Sequence, residues 1–460
     1  MHVLAAAPAD LVAARQQMAL SLGWHIVLAC LGVGLPVLLL AAEGRYLRTG
    51  DERYRRLARQ WSKAFAVLFA VGAVSGTILS LELGVLWPGL MSTYGDVIGL
   101  PFAMEGIAFF LEAIFVGLYL YGWDRLPPKV HWWTGVPIAL SGIASAVFVV
   151  AANAWMNQPR GFTLLPDGTV TEVDPVAAML NPAFAPEAIH MVFAAFMVTG
   201  FLVASVHAAR LVRRRASELD ALAFRVAFTL GAVIAPLQIV AGDYAARFIA
   251  ENQPVKLAAI EGLEETQANA PLSIAGIFEI PSGLSLLAHH DPNAVVIGLD
   301  SVPPEDRPPL IPMLRASFQL MVGIGTGLAG LALWWGVAWK RKRREPTSRW
   351  FWRAAVLAGP AAVIALEAGW IVTEVGRQPW IVYNVMRTSE AVTEAANIRY
   401  GYYGLIVVYA GLTAATVFAL RRLSPPSVEP QLPVPPADEI DEADEIDEVD
   451  EMDADAGSPG

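Results

Sequence analysis

Nine stretches of about 20 apolar residues limit what this chain can fold into more than any other feature. They lie near 22–42, 61–82, 101–122, 134–154, 188–210, 223–242, 313–339, 353–375 and 400–421. A bilayer core of about 30 Å is crossed by roughly 20 residues of helix. The runs are too long and too evenly apolar for the alternating strands of a membrane barrel. The sequence therefore predicts an all-α, multi-pass membrane protein with nine transmembrane helices in a lipid bilayer. Composition agrees: of 460 residues 55% are hydrophobic and 16% charged, against about a quarter charged in an ordinary soluble domain. A cleaved secretory signal is the rival reading of residues 1–42. The run is longer than an ordinary signal core, however, and carries Trp24-His25 inside it. The single cysteine, Cys30, excludes a disulfide scaffold, a Cys-ligated zinc site and a cysteine-held iron–sulfur cluster.

Basic residues predict the orientation. Arg45, Arg48, Arg53, Arg55, Arg56 and Arg59 follow the first run, Arg125 and Lys129 the third, and Arg213, Arg214 and Arg215 the fifth. Lys340, Arg341, Lys342, Arg343 and Arg344 follow the seventh, and Arg421 and Arg422 the ninth. The connection 83–100 has no basic residue and 155–187 has only Arg160. Every strong cluster thus follows an odd-numbered run, which fits an N-terminus outside and a C-terminus inside. Residues 1–423 read as the membrane domain, with 243–312 as a long external loop. Residues 424–460 read as a disordered cytoplasmic tail, first Pro-rich and then acidic. Between Asp438 and Asp455 stand twelve acidic residues and no basic one, so the net charge of −11 leaves the rest of the chain at about +1. There is no broad basic surface for nucleic acid.

Ionisable side chains inside lipid are costly, so each is a functional candidate. They are His25, Glu82, Glu105, Glu112, His190, His207, Glu367 and Glu374. The predicted topology puts His25, His190, Glu367 and Met321 in the outer half of the bilayer. Histidine and methionine are the haem-iron ligands that a nearly cysteine-free chain has available. A lone membrane histidine is more often a helix–helix hydrogen-bonding residue, and a lone methionine plain packing. Glu367 suits a proton or cation relay as readily as a ligand. His207 is about 25 Å along the helix from His190 and reads as an inner-end side chain reaching for the surface. Glu105 and Glu112 stack two turns apart on one face. Two carboxyls in a dry interior cannot both ionise cheaply, which suits a proton relay; a structural, hydrogen-bonded pair is the alternative.

All of these residues but Glu82 and His207 lie in segments that resemble subunit I of cytochrome bd, the bacterial quinol oxidase. They are RQQMALSLGWH (15–25), GLPFAMEGIAFFLEAIFVGLYLYGWDRL (99–126), VVAANAWMNQP (149–159), NPAFAPEAIH (181–190), VKLAAIEGLEETQ (255–267), FQLMVGIG (318–325) and LEAGWIVTEVGRQPW (366–380). The resemblance runs from about 15 to 421, and its most specific blocks are KLAAIE and GRQPW. It implies two four-helix bundles plus one peripheral helix. It also implies a low-spin haem b on His190 and Met321, and two high-spin haems on His25 and Glu367. One of the latter is a haem b; the other is haem d, or a further haem b as in the cyanide-insensitive branch. Lys256 and Glu261 match quinol-binding positions of the external loop, which is short here. Glu105 and Glu112 match acids of the proton route, and Ser145 and Asn153 polar positions near it. Arg15 and Arg377 match haem surroundings. Position 319 is Gln where some relatives carry Arg, which alters the charge beside the low-spin haem. A quinol:O2 oxidoreductase follows, working with a second membrane subunit in the bacterial inner membrane. It would use ubiquinol or menaquinol and contribute to the proton-motive force. A haem-b electron carrier that does not reduce O2, and an ion-coupled transporter, are the competing functions.

Overall fold

The structure is a computed structural model that describes residues 9–213, 216–274 and 276–423. Arg214, Arg215 and the Pro-rich and acidic tail 424–460 lie outside the described residues. In chain order the helices are α1 (Ala9–Thr49), α2 (Glu52–Leu86), α3 (Pro88–Gly122), α4 (Pro128–Asn157), α5 (Pro175–Met179), α6 (Phe184–Val212) and α7 (Asp220–Asn252). They continue as α8 (Pro254–Glu261), α9 (Gly283–His289), α10 (Ile311–Lys342), α11 (Arg349–Gly376), α12 (Thr388–Ala391) and α13 (Ile398–Leu423). All but α5, α8, α9 and α12 are long and apolar enough to cross a membrane, nine among the described residues.

The helices outrun their apolar segments. α1 has 41 residues, about 60 Å at 1.5 Å per residue, twice what hydrocarbon requires. The connection expected over 83–100 is mostly helix: Trp87 alone separates α2 from α3. Pro88 opens α3 at a position where its missing N–H costs nothing.

α1 to α4 pack as one bundle, and α6, α7, α10 and α11 as a second. α1 and α4 meet α6 to join them, while α13 lies against α1 and α2. Burial separates central from peripheral helices: 56% of α1's apolar window is buried, but only 11% of α13's. Lipid tails are as apolar as leucine, so close packing has to come from small residues. A Cβ added at Gly200 of α6 would run into the backbone nitrogen of Gly231 on α7. Likewise Gly34 of α1 lies on Thr199 of α6, whose hydroxyl donates to the Cys30 carbonyl at 2.8 Å. Phe201, Phe224, Phe228 and Phe351 fill the second bundle beside these seams.

The two ends of the molecule differ. At one end Arg59 pairs with Asp124 at 2.5 Å, Arg56 with Glu218, and Arg225 with Glu345 at 2.6 Å. These pairs gather the connections α1–α2, α3–α4, α6–α7 and α10–α11, where the sequence puts its basic clusters. His207 belongs here but does not reach outward. It is 7% exposed, its Nδ1 donates to Asp220 at 2.6 Å, and its Nε2 accepts from Trp61 at 3.3 Å. Asp220 also takes the Arg210 Nε at 3.1 Å, so the histidine is a buried lock between α2, α6 and α7. The opposite end carries α5, α8, α9, α12 and four short antiparallel ladders. The long 243–312 connection is therefore folded, with Leu257, Ala258, Ile260, Leu284, Val296 and Leu299 as its core.

The α6–α7 seam has a direct test. Gly200→Ala should cost about 1–3 kcal/mol by forcing the helices apart. A thermal melt of the purified complex reads this, and an unchanged midpoint would show that the seam tolerates the methyl.

Candidate functional site

Each of the four proposed iron ligands faces a glycine on a neighbouring helix. His25 hydrogen-bonds through Nδ1 to the Ser75 hydroxyl of α2 at 2.8 Å. Its Cε1 lies 3.1 Å from where a Cβ would sit on Gly76. Glu367 Oε2 lies 3.2 Å from the corresponding point on Gly23 of α1, and Met321 Sδ 2.9 Å from that on Gly369 of α11. The His190 ring lies 3.7 Å from that on Gly242 of α7, and the Gln238 amide is 3.3 Å from its nitrogens. The geometry links three of the four. Glu367 abuts α1 two residues from His25, and Met321 abuts α11 two residues from Glu367. His190 stands on α6 against α7, and α7 packs on the Met321 helix α10.

Imidazole and thioether are donors that hold haem iron, and a carboxylate is a further oxygen donor for iron. At Gly76, Gly23 and Gly369 the donor side chain itself packs into the space that a Cβ would take. Buried unpartnered polar atoms add to this fit. The Nε and Nη1 of Arg377, 3% exposed, have no partner, while its Nη2 donates to Glu374 at 2.7 Å. A guanidinium with two free donors suits an anionic haem edge. Arg15 is half-buried early in α1, about 15 Å along the helix from His25.

The acids form a stripe. Glu105, Glu112 and Tyr119 recur every seven residues on α3. The Ser145 hydroxyl of α4 donates to Glu105 at 3.5 Å. The Glu112 carboxyl, 5% exposed, rests 3.2 Å from where a Cβ would stand on Gly142. Tyr119 donates to Glu43 at 2.8 Å, and His131 meets the same carboxylate at 2.6 Å. The stripe thereby reaches the basic end of the bundle. The sequence reading named Glu105, Glu112 and Ser145 but missed Glu43, Tyr119 and His131. The seven-residue spacing continuing to Tyr119 was the available signal.

A second polar group covers the opposite end. Asn153 donates to Glu374 at 2.6 Å, not to the α3 acids. Asn157 donates to Glu187 at 3.0 Å, and Gln253 donates to the Asn157 carbonyl at 2.9 Å. Glu187, Asn157 and Gln253 were not foreseen, because each stands at a helix end where polar residues are ordinary. Lys256, 3% exposed, rests its alkyl chain on Gly376. Burial pushes its ammonium down to about 8, with Glu187 pulling the other way. Glu261, on the same short helix, is pushed up to about 7 by burial, opposed by Arg315.

The two expected quinol residues open on different clefts of about 320 Å³ each. Lys256 lines one with Arg377, Trp380 and Tyr383. Glu261 lines the other with Leu263, Pro271, Ser273 and Arg315. Five residues apart on a helix turns them well away from one another. Arg315 donates to the Ser273 hydroxyl at 2.6 Å, and Gln319 to the Ser273 carbonyl at 2.9 Å.

The comparisons with known proteins agree over nearly the whole chain. The sequence profile of the family described as cytochrome bd terminal oxidase subunit I matches residues 13–426. A Bacillus subtilis (strain 168) protein provisionally assigned as a cytochrome bd menaquinol oxidase subunit I is 40% identical, over 89% of this chain and 96% of that protein. The cytochrome bd ubiquinol oxidase subunit 1 of the same organism is 32% identical, over 90% of this chain and 93% of that one. A chain of the bd oxidase from Geobacillus thermodenitrificans superposes with a TM-score of 0.82 at 37% identity, covering 90% of this chain and 98% of its own. That family is a family of haem-bearing membrane quinol oxidases. With nine membrane-length helices among the described residues, eight in two bundles and α13 beside them, and a side-chain set fit to hold haem, the chain belongs to the cytochrome bd terminal oxidase subunit I family.

Proposed function

We propose that this chain oxidises quinol at the end carrying α8 and α9 and supports O2 reduction with protons drawn from the basic end. The single observation that carries this reading is the set of four donors, His25, His190, Met321 and Glu367, each packed on a glycine. On the charge distribution, the α8 end is extracytoplasmic and the basic end cytoplasmic. Any proton-motive force then comes from geometry: quinol protons leave on one side while consumed protons enter on the other.

His190 and Met321 would hold a low-spin haem b. His25 and Glu367 would hold two high-spin haems, a haem b and either haem d or a further haem b. When bound, these groups supply electron transfer and the iron at which O2 is reduced. The chain does the rest. Ser75 fixes the His25 ring through Nδ1 and leaves Nε2 free. Arg377 offers Nε and Nη1 to an anionic edge, with Arg15 contributing from α1. Glu261 accepts a quinol proton in its cleft, and Lys256 stands beside Glu187 and Glu374 beneath the neighbouring cleft. Glu112 and Glu105 hand protons along α3, with Ser145 hydrogen-bonded to the latter, and Glu43, His131 and Tyr119 stand at the entry. Asn153 fixes Glu374. The little-buried faces of α2, α10 and α13 leave room for a second membrane subunit as well as lipid. The setting would be the bacterial cytoplasmic membrane, with ubiquinol or menaquinol as donor.

Three measurements test this. His190→Ala and Met321→Ala should each abolish the low-spin haem absorbance in reduced-minus-oxidised spectra and leave the high-spin pair partly loaded. An unchanged low-spin signal would remove that assignment. Glu112→Gln should slow O2 uptake about 100-fold, the scale of a lost general acid, with haem content retained; normal turnover excludes it from the route. Glu261 accepts a proton only when ionised, and burial raises its titration to about 7. Quinol oxidation should therefore rise as pH increases through that value, and Glu261→Gln should flatten that limb. A variant that kept the wild-type limb would exclude Glu261 as the acceptor.

A further inference from the structure

A second group of buried polar side chains lies apart from the α3 acids, where α13 covers α1 and α2. Gln17 and Ser21 come from α1, Glu82 from α2 and Tyr409 from α13. They are 9%, 0%, 5% and 2% exposed, respectively. Gln17 donates to Glu82 Oε1 at 3.0 Å. Beyond that bond the group is unsatisfied: Gln17 Oε1, Ser21 Oγ, Glu82 Oε2 and the Tyr409 hydroxyl all lack a partner. Ser21 adjoins both Glu82 and Tyr409 yet reaches neither at hydrogen-bonding geometry. The lid is tight. Trp24 stacks on Tyr409 with ring centres 4.8 Å apart, and its indole donates to Thr413 at 2.9 Å. Gly401 leaves the gap that Gln17 Oε1 occupies, 2.9 Å from where a Cβ would stand.

Four orphan atoms from three helices are too costly in hydrocarbon to be left dry, at about 1–3 kcal/mol each. Water between them is the economical solution, since a buried water bonds about three such groups. The carboxyl decides the protonation. Its protein neighbours, the Gln17 amide and the Ser21 hydroxyl, are neutral, so an ionised Glu82 would be a buried charge without a counter-charge. As a neutral acid it adds a donor to a group otherwise rich in acceptors.

We propose that Gln17, Ser21, Glu82 and Tyr409 enclose a hydrated proton-holding site beneath α13, with Glu82 as a neutral acid linked through water to Ser21 and Tyr409. The site is placed to exchange protons with the haem region. Ser21 stands one turn before His25 on α1, and Glu82 two turns beyond Ser75, the partner of His25, on α2. It is a second proton site, distinct from the stripe of Glu105 and Glu112.

Infrared spectra of the purified two-subunit complex test this without reference to turnover. The wild-type minus Glu82→Gln difference should contain one protonated-carboxyl C=O band that moves in D2O. Tyr409→Phe and Ser21→Ala, which keep the acid, should each shift that band. They carry the test if Glu82→Gln does not assemble. A carboxylate stretch pair in place of the C=O band overturns the proposal, and one that responds to exchanging sodium for potassium identifies a cation site instead. A band insensitive to D2O, or unmoved by both hydroxyl deletions, overturns it as well.

Discussion

Hydrocarbon supplies no hydrogen bonds, and this one constraint organises the molecule. Backbone groups meet it by forming helices through the whole membrane thickness. Side chains meet it only by finding partners on neighbouring helices, so the helices must come close enough to share atoms. Glycine seams provide that approach at Gly34, Gly200 and Gly359. The same device recurs at three of the proposed iron ligands, His25, Met321 and Glu367, where the donor side chain packs into the space a Cβ would take.

The two ends of the bundle solve the constraint differently. At the basic end two buried carboxylates are each held several times over: Glu43 by Tyr119 and His131, and Asp220 by His207, Arg210 and Ser217. Such closed networks fix helix positions, because breaking one leaves a charge stranded in apolar surroundings. At the α8 end the network stays partly open, with two donors of Arg377 unspent and Lys256 and Glu261 held near their titration points by burial. On the proposed function, an end that binds a diffusing substrate needs groups whose bonds are still available.

The sequence carried the large-scale answer because period, length and charge are local. Nine apolar runs give nine membrane-length helices, and the basic clusters do gather at one end. Ser145, which the resemblance puts near the proton route, meets Glu105. Contacts between distant residues were less legible. Asn153 reads as a companion of the α3 acids, yet helix rotation and eight further residues carry it to Glu374. Lys256 and Glu261 look like one site in a run of text, but a helix turns them toward separate clefts. His207 reads as a surface-seeking side chain because Asp220, its partner, follows a break in the helix that periodicity cannot bridge. Glu187 was hidden by its position in a first helical turn, where an acid needs no special explanation.

α1 shows why these separate features form one device. It packs against α2, α4, α6 and α13, and its residues enter polar groups at several levels of the bundle. Gln17 and Ser21 face the pocket under α13, His25 faces Ser75, Gly23 receives Glu367 from the second bundle, and Glu43 closes the lock at the basic end. Between these levels the helix is pinned to α6 by the Thr199 bond to the Cys30 carbonyl. A rotation of α1 that improved one of these contacts would spoil the others, since a single helix face cannot turn independently at different heights. The helix is therefore over-determined. That rigidity would hold groups from both bundles at constant separation while the charge on them changes.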